Sequence, residues 1–264
     1  MSLKRMTFAA CLGAAATLAS AVEVPVDLAA WSKQGPAANG NWTVAPGGGS
    51  VTQSINGDPT FFVGPTSFVD TVLRGKIRVN GSGDDDFIGF VMGYNAPIGT
   101  GNDMDFVLLD WKQSNQNFGG VLASEGFALS RVNGTITNYL PGFWGHNDSA
   151  GFDNLATNFS GTLGWADNVE YSFEILYQSD RVRVDVTGGA FASATTVLDV
   201  AGSFPAGRFG FYNYSQANVT YSGFTLEELP PPVVAIPEPA SYAMLALGLT
   251  AVGWAARRRR QPRG

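Results

Sequence analysis

The chain has 264 residues with a single cysteine, a single histidine and a formal net charge of −6. Many of its basic residues lie at the two ends, so residues 22–236 hold nine basic and 21 acidic side chains, a net charge of −12. A surface this acidic argues against nucleic acid and anionic lipid as partners, and a segment without cysteine excludes thiolate catalysis and cysteine-ligated zinc sites.

The amino terminus has the features of a secretory signal peptide. Lys4 and Arg5 precede an apolar stretch over residues 6–18, and residues 19–21 match the small-residue A-x-A pattern of a cleavage site. We therefore predict a signal peptide over residues 1–21. The Sec machinery and signal peptidase are its implied partners.

Residues 22–229 have the composition of an all-β domain, rich in Gly, Asn, Ser and Thr and in aromatic side chains. Residues 31–49 are predicted to be a loop or an edge segment. Predicted strands follow at 51–62, 69–80, 87–94, 106–113, 127–132, 169–178, 181–186, 197–200, 208–214 and 219–226. Ten to twelve strands separated by turn signals predict a sandwich of two sheets.

Two stretches of this domain stand out. Residues 169–178 and 181–186 alternate apolar and polar side chains on either side of a short turn, which predicts a β-hairpin. Residues 139–164 form the longest irregular stretch and contain Trp144 and His146. Because long loops in compact domains are often functional, we expect these two side chains to be exposed and treat them as a candidate ligand loop.

The carboxyl terminus has three parts. Residues 230–239 are a proline-rich linker that ends in a Pro-Glu-Pro triplet, residues 240–256 are uncharged and mostly apolar, and residues 257–264 form a basic tail. Seventeen residues at 1.5 Å each give a helix of about 25 Å, enough to cross a thin hydrocarbon core. The basic tail would hold its end in the cytoplasm, so we predict a transmembrane helix over 240–256.

Four ordered motifs carry a family resemblance. They are D-D-D-F-I-G-F-V-M-G-Y at 84–94, F-V-L-L-D-W-K-Q at 106–113, L-G-W-A-D-N-V-E-Y at 163–171 and G-R-F-G-F-Y-N-Y-S-Q-A-N-V-T-Y-S-G-F at 207–224. Together they resemble the C-terminal domain of thrombospondins over residues 66–229. The resemblance implies a jelly-roll sandwich of the legume-lectin, concanavalin A-like type. No D-x-D-x-D-G sequence pattern precedes Val69, so the resemblance does not extend to the calcium-rich repeats of thrombospondins.

The two ends resemble a second family, the PEP-CTERM sorting signals. The residues that carry this resemblance are Pro237, Glu238, Pro239, Arg257, Arg258, Arg259 and Arg260. The resemblance implies cleavage near the triplet by an exosortase, in a Gram-negative bacterium that makes exopolysaccharide. The helix is then a transient anchor in the inner membrane, and the destination is the cell surface or the extracellular matrix of a biofilm.

Five aspartates are the candidate metal ligands: Asp84, Asp85, Asp86, Asp103 and Asp105. The three adjacent carboxylates repel one another, and a hard cation such as calcium with oxygen ligands removes that cost. Asp103 and Asp105 precede the next strand, which is expected to run antiparallel nearby. The alternative is a solvated acidic turn.

The remaining candidates are aromatic. Trp111 and Trp165 fit either a sugar-stacking platform or core packing, and we favour the core. His146, the single histidine, is insufficient for a zinc site, and we interpret it as structural or solvent-facing. No G-x-S-x-G sequence presents a nucleophile, and the E-x-D-x-x-E pattern of laminarinase-like glucanases on this sandwich is absent.

We therefore predict a non-enzymatic adhesion or matrix protein that binds calcium and associates with exopolysaccharide or an envelope protein. One alternative is a carbohydrate-binding lectin that uses the concave sheet and the loop around Trp144. A glycoside hydrolase on the same fold is a third interpretation.

Overall fold

The computed structural model describes residues 22–230 and 239–259, and the chain divides into two units after Leu229. In chain order the described strands are β1 (Glu23–Pro25), β2 (Ser32–Gln34), β3 (Trp42–Val44), β4 (Ser50–Gln53), β5 (Thr60–Phe68), β6 (Thr71–Val79), β7 (Phe87–Tyr94), β8 (Asp103–Lys112), β9 (Gln116–Phe118), β10 (Val121–Ala123), β11 (Gly126–Thr135), β12 (Phe152–Asn158), β13 (Glu170–Tyr177), β14 (Arg181–Gly188), β15 (Phe191–Ala201), β16 (Gly207–Tyr214) and β17 (Val219–Glu228).

Two large antiparallel sheets form the first unit. Sheet A has the order β15-β14-β13-β6-β17-β4-β3, with β1 paired to β17, and sheet B has the order β12-β11-β8-β7-β16-β5-β2. The two-sheet all-β sandwich expected from the sequence is confirmed. The hairpin over 169–186 is also confirmed, as β13 paired with β14. The described strands exceed the ten to twelve expected because several three-residue strands lie in segments that lack a clear alternation.

An inner core of aromatic and aliphatic side chains fills the space between the sheets. Phe211 of sheet B stacks on Tyr221 of sheet A with ring centroids 4.5 Å apart, and Trp111 stacks on Phe127 at 4.6 Å. Trp111 and Trp165 are 1% and 2% exposed. The expectation that both tryptophans pack in the core is therefore confirmed.

Sheet B is apolar on its other face as well. Every residue of β7 is buried, because Ile88 and Phe90 face the inner core while Phe87 and Val91 belong to a second, outer core. Residues 136–152, which we call the cover, lie over this outer face. The cover contributes Ile136, Phe143, Trp144 and Phe152 to the outer core.

The cover corrects the prediction of a long irregular loop over 139–164. It contains a π-helical turn at Leu140–Trp144, and strand β12 follows it as the edge of sheet B. Trp144 is 3% exposed and His146 is 6% exposed, so the expected exposure is wrong for both, and of the two interpretations of His146 the structural one holds. The physical reason is that sheet B presents a second apolar face, and the aromatic side chains of the cover exclude water from it.

A buried polar pair joins the cover to sheet B. His146 Nε2 lies 2.9 Å from both carboxylate oxygens of Asp110, which belongs to β8. Burial raises the pKa of Asp110, and the charge and hydrogen bond of His146 oppose that increase. Because an unpaired charge in this position would be costly, the pair ties the position of the cover to β8.

The second unit contains helix α1, Pro239–Arg259. Pro239 is its first residue, and Arg257 is exposed. The predicted signal peptide over 1–21 and the sorting residues Pro237, Glu238 and Arg260 lie outside the described residues. Among the residues that the structure describes, no helix is both long and apolar enough to cross a membrane. The transmembrane span predicted over 240–256 is therefore not confirmed.

The His146–Asp110 pair gives a direct test of how the cover is held. In the variant His146→Ala the Asp110 carboxylate stays buried without its partner, and we expect the free energy of unfolding to fall by about 3–5 kcal/mol. In the double variant Asp110→Leu/His146→Leu both polar groups are gone, and we expect most of that loss to be recovered. Urea unfolding followed by tryptophan fluorescence measures both, and a double variant no more stable than the single one would contradict the role of the pair.

Candidate functional site

The acidic triplet Asp84–Asp85–Asp86 lies at the entrance to β7. Each of its carboxylates offers one oxygen, and these three oxygens lie within 4.8 Å of one another. Strand β8 runs antiparallel to β7 with Phe87 opposite Lys112. This register brings the end of β8 to the triplet.

Lys112 is the main partner of the triplet. Its side chain has no exposed surface, and its Nζ lies 3.1 Å from Asp85 Oδ1 and 2.8 Å from Asp86 Oδ1. The ammonium group also lies 5.2 Å from the centroid of the Phe87 ring and 5.3 Å from that of Trp144. Lys112 thus pairs with two of the three carboxylates from their buried side, and the Trp144 ring of the cover lies over it.

Backbone hydrogen bonds hold the triplet in place. The Asp86 N–H donates to Gln216 Oε1 at 3.0 Å, and Trp165 Nε1 donates to the Asp86 carbonyl oxygen at 3.1 Å. Lys112 Nζ donates to the Asp85 carbonyl oxygen at 2.9 Å, and the Ser114 hydroxyl donates to the Asp85 carboxylate. The backbone of Asp85 and Asp86 and the Asp85 carboxylate are therefore held by the surrounding chain.

Asp84 differs from its two neighbours in its partners. Its carboxylate accepts hydrogen bonds from the Asn56 amide and from the Asp85 N–H, the latter at 3.2 Å. Partial burial and then the charge of Asp86 raise the pKa of Asp84 to about 6, and these two hydrogen bonds only partly oppose the increase. The ionised form of Asp84 is therefore disfavoured first by its partial burial and then by the neighbouring negative charge.

Asp103 and Asp105 do not join the triplet. They lie at the start of β8, whereas the triplet lies at the start of β7. Because β7 and β8 are antiparallel, the start of β8 pairs with the end of β7, at the opposite edge of the sheet from the triplet. Asp103 accepts a hydrogen bond from the Thr135 hydroxyl at 2.6 Å, and Asp105 forms an ion pair with Arg131. The expectation that all five aspartates lie close together is therefore wrong.

Sequence reasoning missed Lys112 and Asp110. Both lie on β8 in the otherwise apolar run F-V-L-L-D-W-K. They occupy alternate positions of the run, so they share one face of the strand, and this pattern marks them as candidates. A charged residue inside such a run indicates a buried ion pair. The signal does not say which residues from elsewhere in the chain complete the pair.

The outer side of the triplet has the chemistry of a calcium site. Calcium takes six to eight oxygen ligands, with carboxylates prominent among them. Asp84 and Asp85 are partly exposed and supply carboxylate oxygens there, while the buried Asp86 carboxylate and Lys112 occupy the inner side. The donor set fits a cation that binds from solvent and completes its coordination with water.

Comparisons with known proteins agree with this architecture. The thrombospondin C-terminal region matches residues 37–227, and the PEP-CTERM protein-sorting motif matches residues 235–260. Thrombospondin-3b of Danio rerio is 29% identical over 192 residues, which cover 69% of this chain and 20% of that protein. Cartilage oligomeric matrix protein of Rattus norvegicus is 28% identical over 194 residues, which cover 69% of this chain and 25% of that protein. The chain thus spans only a fifth to a quarter of the length of these curated relatives.

A solved structure resembles the sandwich. The exoplasmic/lumenal domain of VIP36, in a Ca²⁺/Man-bound form, has a TM-score of 0.51 and 13% identity, with 78% of this chain and 85% of that chain covered. At this identity the likeness shows the fold alone. Together with the family match over most of its length, the sandwich of sheets A and B shows that the chain belongs to the thrombospondin C-terminal region family and ends in a PEP-CTERM protein-sorting motif.

Proposed function

We propose that this chain is an exported, non-enzymatic adhesion or matrix protein, processed by an exosortase and associated with exopolysaccharide or an envelope protein of a biofilm. The observation that carries the proposal is the succession of two matches on one chain, a thrombospondin C-terminal region over 37–227 and a sorting motif over 235–260. The first supplies a lectin-like domain, and the second directs that domain to the cell surface.

Processing would occur at the Pro-Glu-Pro triplet. It follows the last strand of the sandwich and ends at Pro239, the first residue of helix α1, so cleavage there separates the folded domain from the helix and the arginine cluster. We propose that the helix is a temporary inner-membrane handle. Once it is removed, the acidic sandwich reaches the cell surface or the medium.

Calcium is the proposed ligand of the acidic triplet. The support is the raised pKa of Asp84, the proximity of the Asp86 carboxylate and the rigid backbone around them. The VIP36 domain, which has a similar fold, was solved with calcium bound. The bound cation would stabilise the outer side of the triplet and the entrance to β7, without a catalytic role.

A carbohydrate-binding lectin is the second candidate, favoured by the mannose that is bound in the same VIP36 structure. The site expected around Trp144 is not available for it, because that ring lies in the outer core. A sugar site would therefore lie elsewhere on the sandwich. We propose no hydrolytic activity, since the carboxylate pattern of the sandwich glucanases is absent from the sequence.

Calcium binding is tested by thermal unfolding in calcium and in EDTA. We expect calcium to raise the melting temperature of the native chain and of the control variant Asp103→Asn, whose carboxylate is remote from the triplet. The variant Asp84→Asn should show little response, because one of the two outer carboxylates is gone. If calcium leaves the native melting temperature unchanged, the calcium proposal fails.

The raised pKa of Asp84 predicts a pH dependence in EDTA. Its folded-state pKa of about 6 exceeds the unfolded value of 3.8, so between these values the native state binds more protons than the unfolded state. The contribution of this group to stability is therefore present at low pH and is lost as the pH rises through 6. We expect Asp84→Asn to be more stabilising, relative to the native chain, at pH 7.5 than at pH 4.5 in urea unfolding. The opposite order would contradict the assignment.

Processing is tested by mass spectrometry of the chain recovered from cells and medium. We expect a carboxyl terminus near the Pro-Glu-Pro triplet in the exported chain and loss of the peptide that contains Arg257. In the variant Glu238→Ala, we expect the uncut chain to accumulate in the membrane fraction. An exported native chain that retains Arg257 would show that the segment is not a cleaved sorting signal.

A further inference from the structure

The sandwich has two outward faces, and only one of them is covered by the outer core. The cover and its aromatic side chains lie on the outward face of sheet B. On sheet A the outward side chains alternate with core residues along β6, β13 and β14, and they are polar or charged and at least partly exposed at most positions. A ligand that meets the sandwich face-on therefore meets sheet A.

Sheet A carries a groove of about 480 Å³ on this outward face. Strands β6, β13, β14 and β17 form it, and β1 and β15 border it. The volume falls within the range of about 300–1,000 Å³ that is usual for small-molecule sites. Gly223, in left-handed conformation with a φ of 62°, lies at the irregularity of β17 and leaves open space beside the groove.

The side chains around the groove are held by ion pairs. Arg74 bridges two acids on neighbouring strands, with Nε 2.8 Å from Glu174 and Nη1 2.6 Å from Glu227. On the other side Arg183 Nε lies 2.9 Å from Asp185, and its Nη2 donates to the Thr196 hydroxyl at 3.0 Å. Fixed donors and acceptors reduce the entropy that is lost when a ligand binds.

Between the two groups of ion pairs, the bottom of the groove carries short hydroxyl side chains. Ser172 is exposed, and in the sheet register it lies between Thr187 of β14 and Lys76 of β6. A hydroxyl both donates and accepts a hydrogen bond. The bottom of the groove is thus suited to a ligand that is itself rich in hydroxyl groups.

The charge of the groove decides which polymer it fits. Three cations and three carboxylates line it: Arg74, Lys76, Arg183, Glu23, Glu174 and Asp185. The lining is therefore close to neutral, and the domain around it is strongly acidic. An acidic polysaccharide would be repelled by the domain without a compensating basic patch in the groove.

We propose that this groove of sheet A binds a segment of a neutral polysaccharide. The inference rests on the proposed matrix function and names its ligand class and its site. Hydroxyl groups of the polymer exchange hydrogen bonds with Ser172 and with the paired Arg74–Glu174 and Arg183–Asp185 side chains. The interaction needs neither the calcium triplet nor the aromatic side chains of the cover.

The test is affinity gel electrophoresis of the full-length chain in gels that contain dextran, a β-1,3-glucan or a galactomannan, with alginate as the acidic polymer. We expect at least one neutral polysaccharide to retard the native chain and alginate not to. The variant Ser172→Trp fills the groove and should weaken binding at least tenfold. Arg183→Gln should weaken it several-fold.

A matched control is Thr43→Trp, which adds the same ring to an exposed position of β3 in the same sheet, away from the groove. Its binding should equal that of the native chain, and the melting temperatures of all variants show that they are folded. Unchanged binding by folded Ser172→Trp, or retardation by alginate alone, overturns the proposal that the groove binds a neutral polysaccharide. A chain that is cut at the triplet and recovered in the matrix, yet binds none of the neutral polymers, removes this inference and leaves the proposed function standing.

Discussion

The structure depends on one constraint, which is that sheet B is apolar on both faces. Its central strands β7 and β8 place aromatic and aliphatic side chains alternately toward the inner and the outer core. A sandwich of two sheets covers only one face of each sheet. Sheet B therefore needs a third layer, and the cover with Phe143, Trp144 and Phe152 provides it. This layer closes the face on which a lectin-like site was expected and leaves sheet A as the open face.

The outer core also contains charge, and this determines how the cover is positioned. Asp110 and Lys112 occupy alternate positions of β8 on the covered face, so each needs a partner from another segment. His146 comes from the cover, and Asp86 from the entrance to β7. Apolar contacts tolerate small shifts, whereas removing one member of a buried ion pair costs several kcal/mol. We infer that the His146–Asp110 pair, together with the contact of Lys112 with the Trp144 ring, fixes the placement of the cover on sheet B.

The sequence predicts the parts of this fold that depend on local periodicity. Alternation over 169–186 predicts the β13–β14 hairpin, and the apolar run over 87–94 predicts a central strand. An apolar run does not identify the segment that covers its second face, so the burial of Trp144 and His146 was not predictable. The separation of Asp103 from Asp84 follows from the antiparallel register of β7 and β8. The sequence indicates that the two strands are antiparallel neighbours. That their starting ends, and with them Asp84 and Asp103, lie at opposite edges of the sheet becomes clear only when the direction of each strand is followed.

The carboxylates of the acidic triplet have two different surroundings, an inner side that is occupied by Lys112 and an outer side that faces solvent. On the inner side Lys112 supplies a positive charge that belongs to the chain, so the sandwich can fold without a metal. One ammonium group cannot neutralise three carboxylates, and burial, followed by the charge of Asp86, raises the pKa of Asp84 to about 6. A proton at low pH or a cation at neutral pH would compensate the partly buried charge and its repulsion by Asp86. Because the chain offers few oxygen ligands on that side, a calcium ion there would belong with the weaker extracellular sites, which bind at about 10⁻⁴–10⁻³ M. Such a site would be filled in a calcium-rich medium and empty in the cytoplasm, which is consistent with the proposed role of the domain outside the cell.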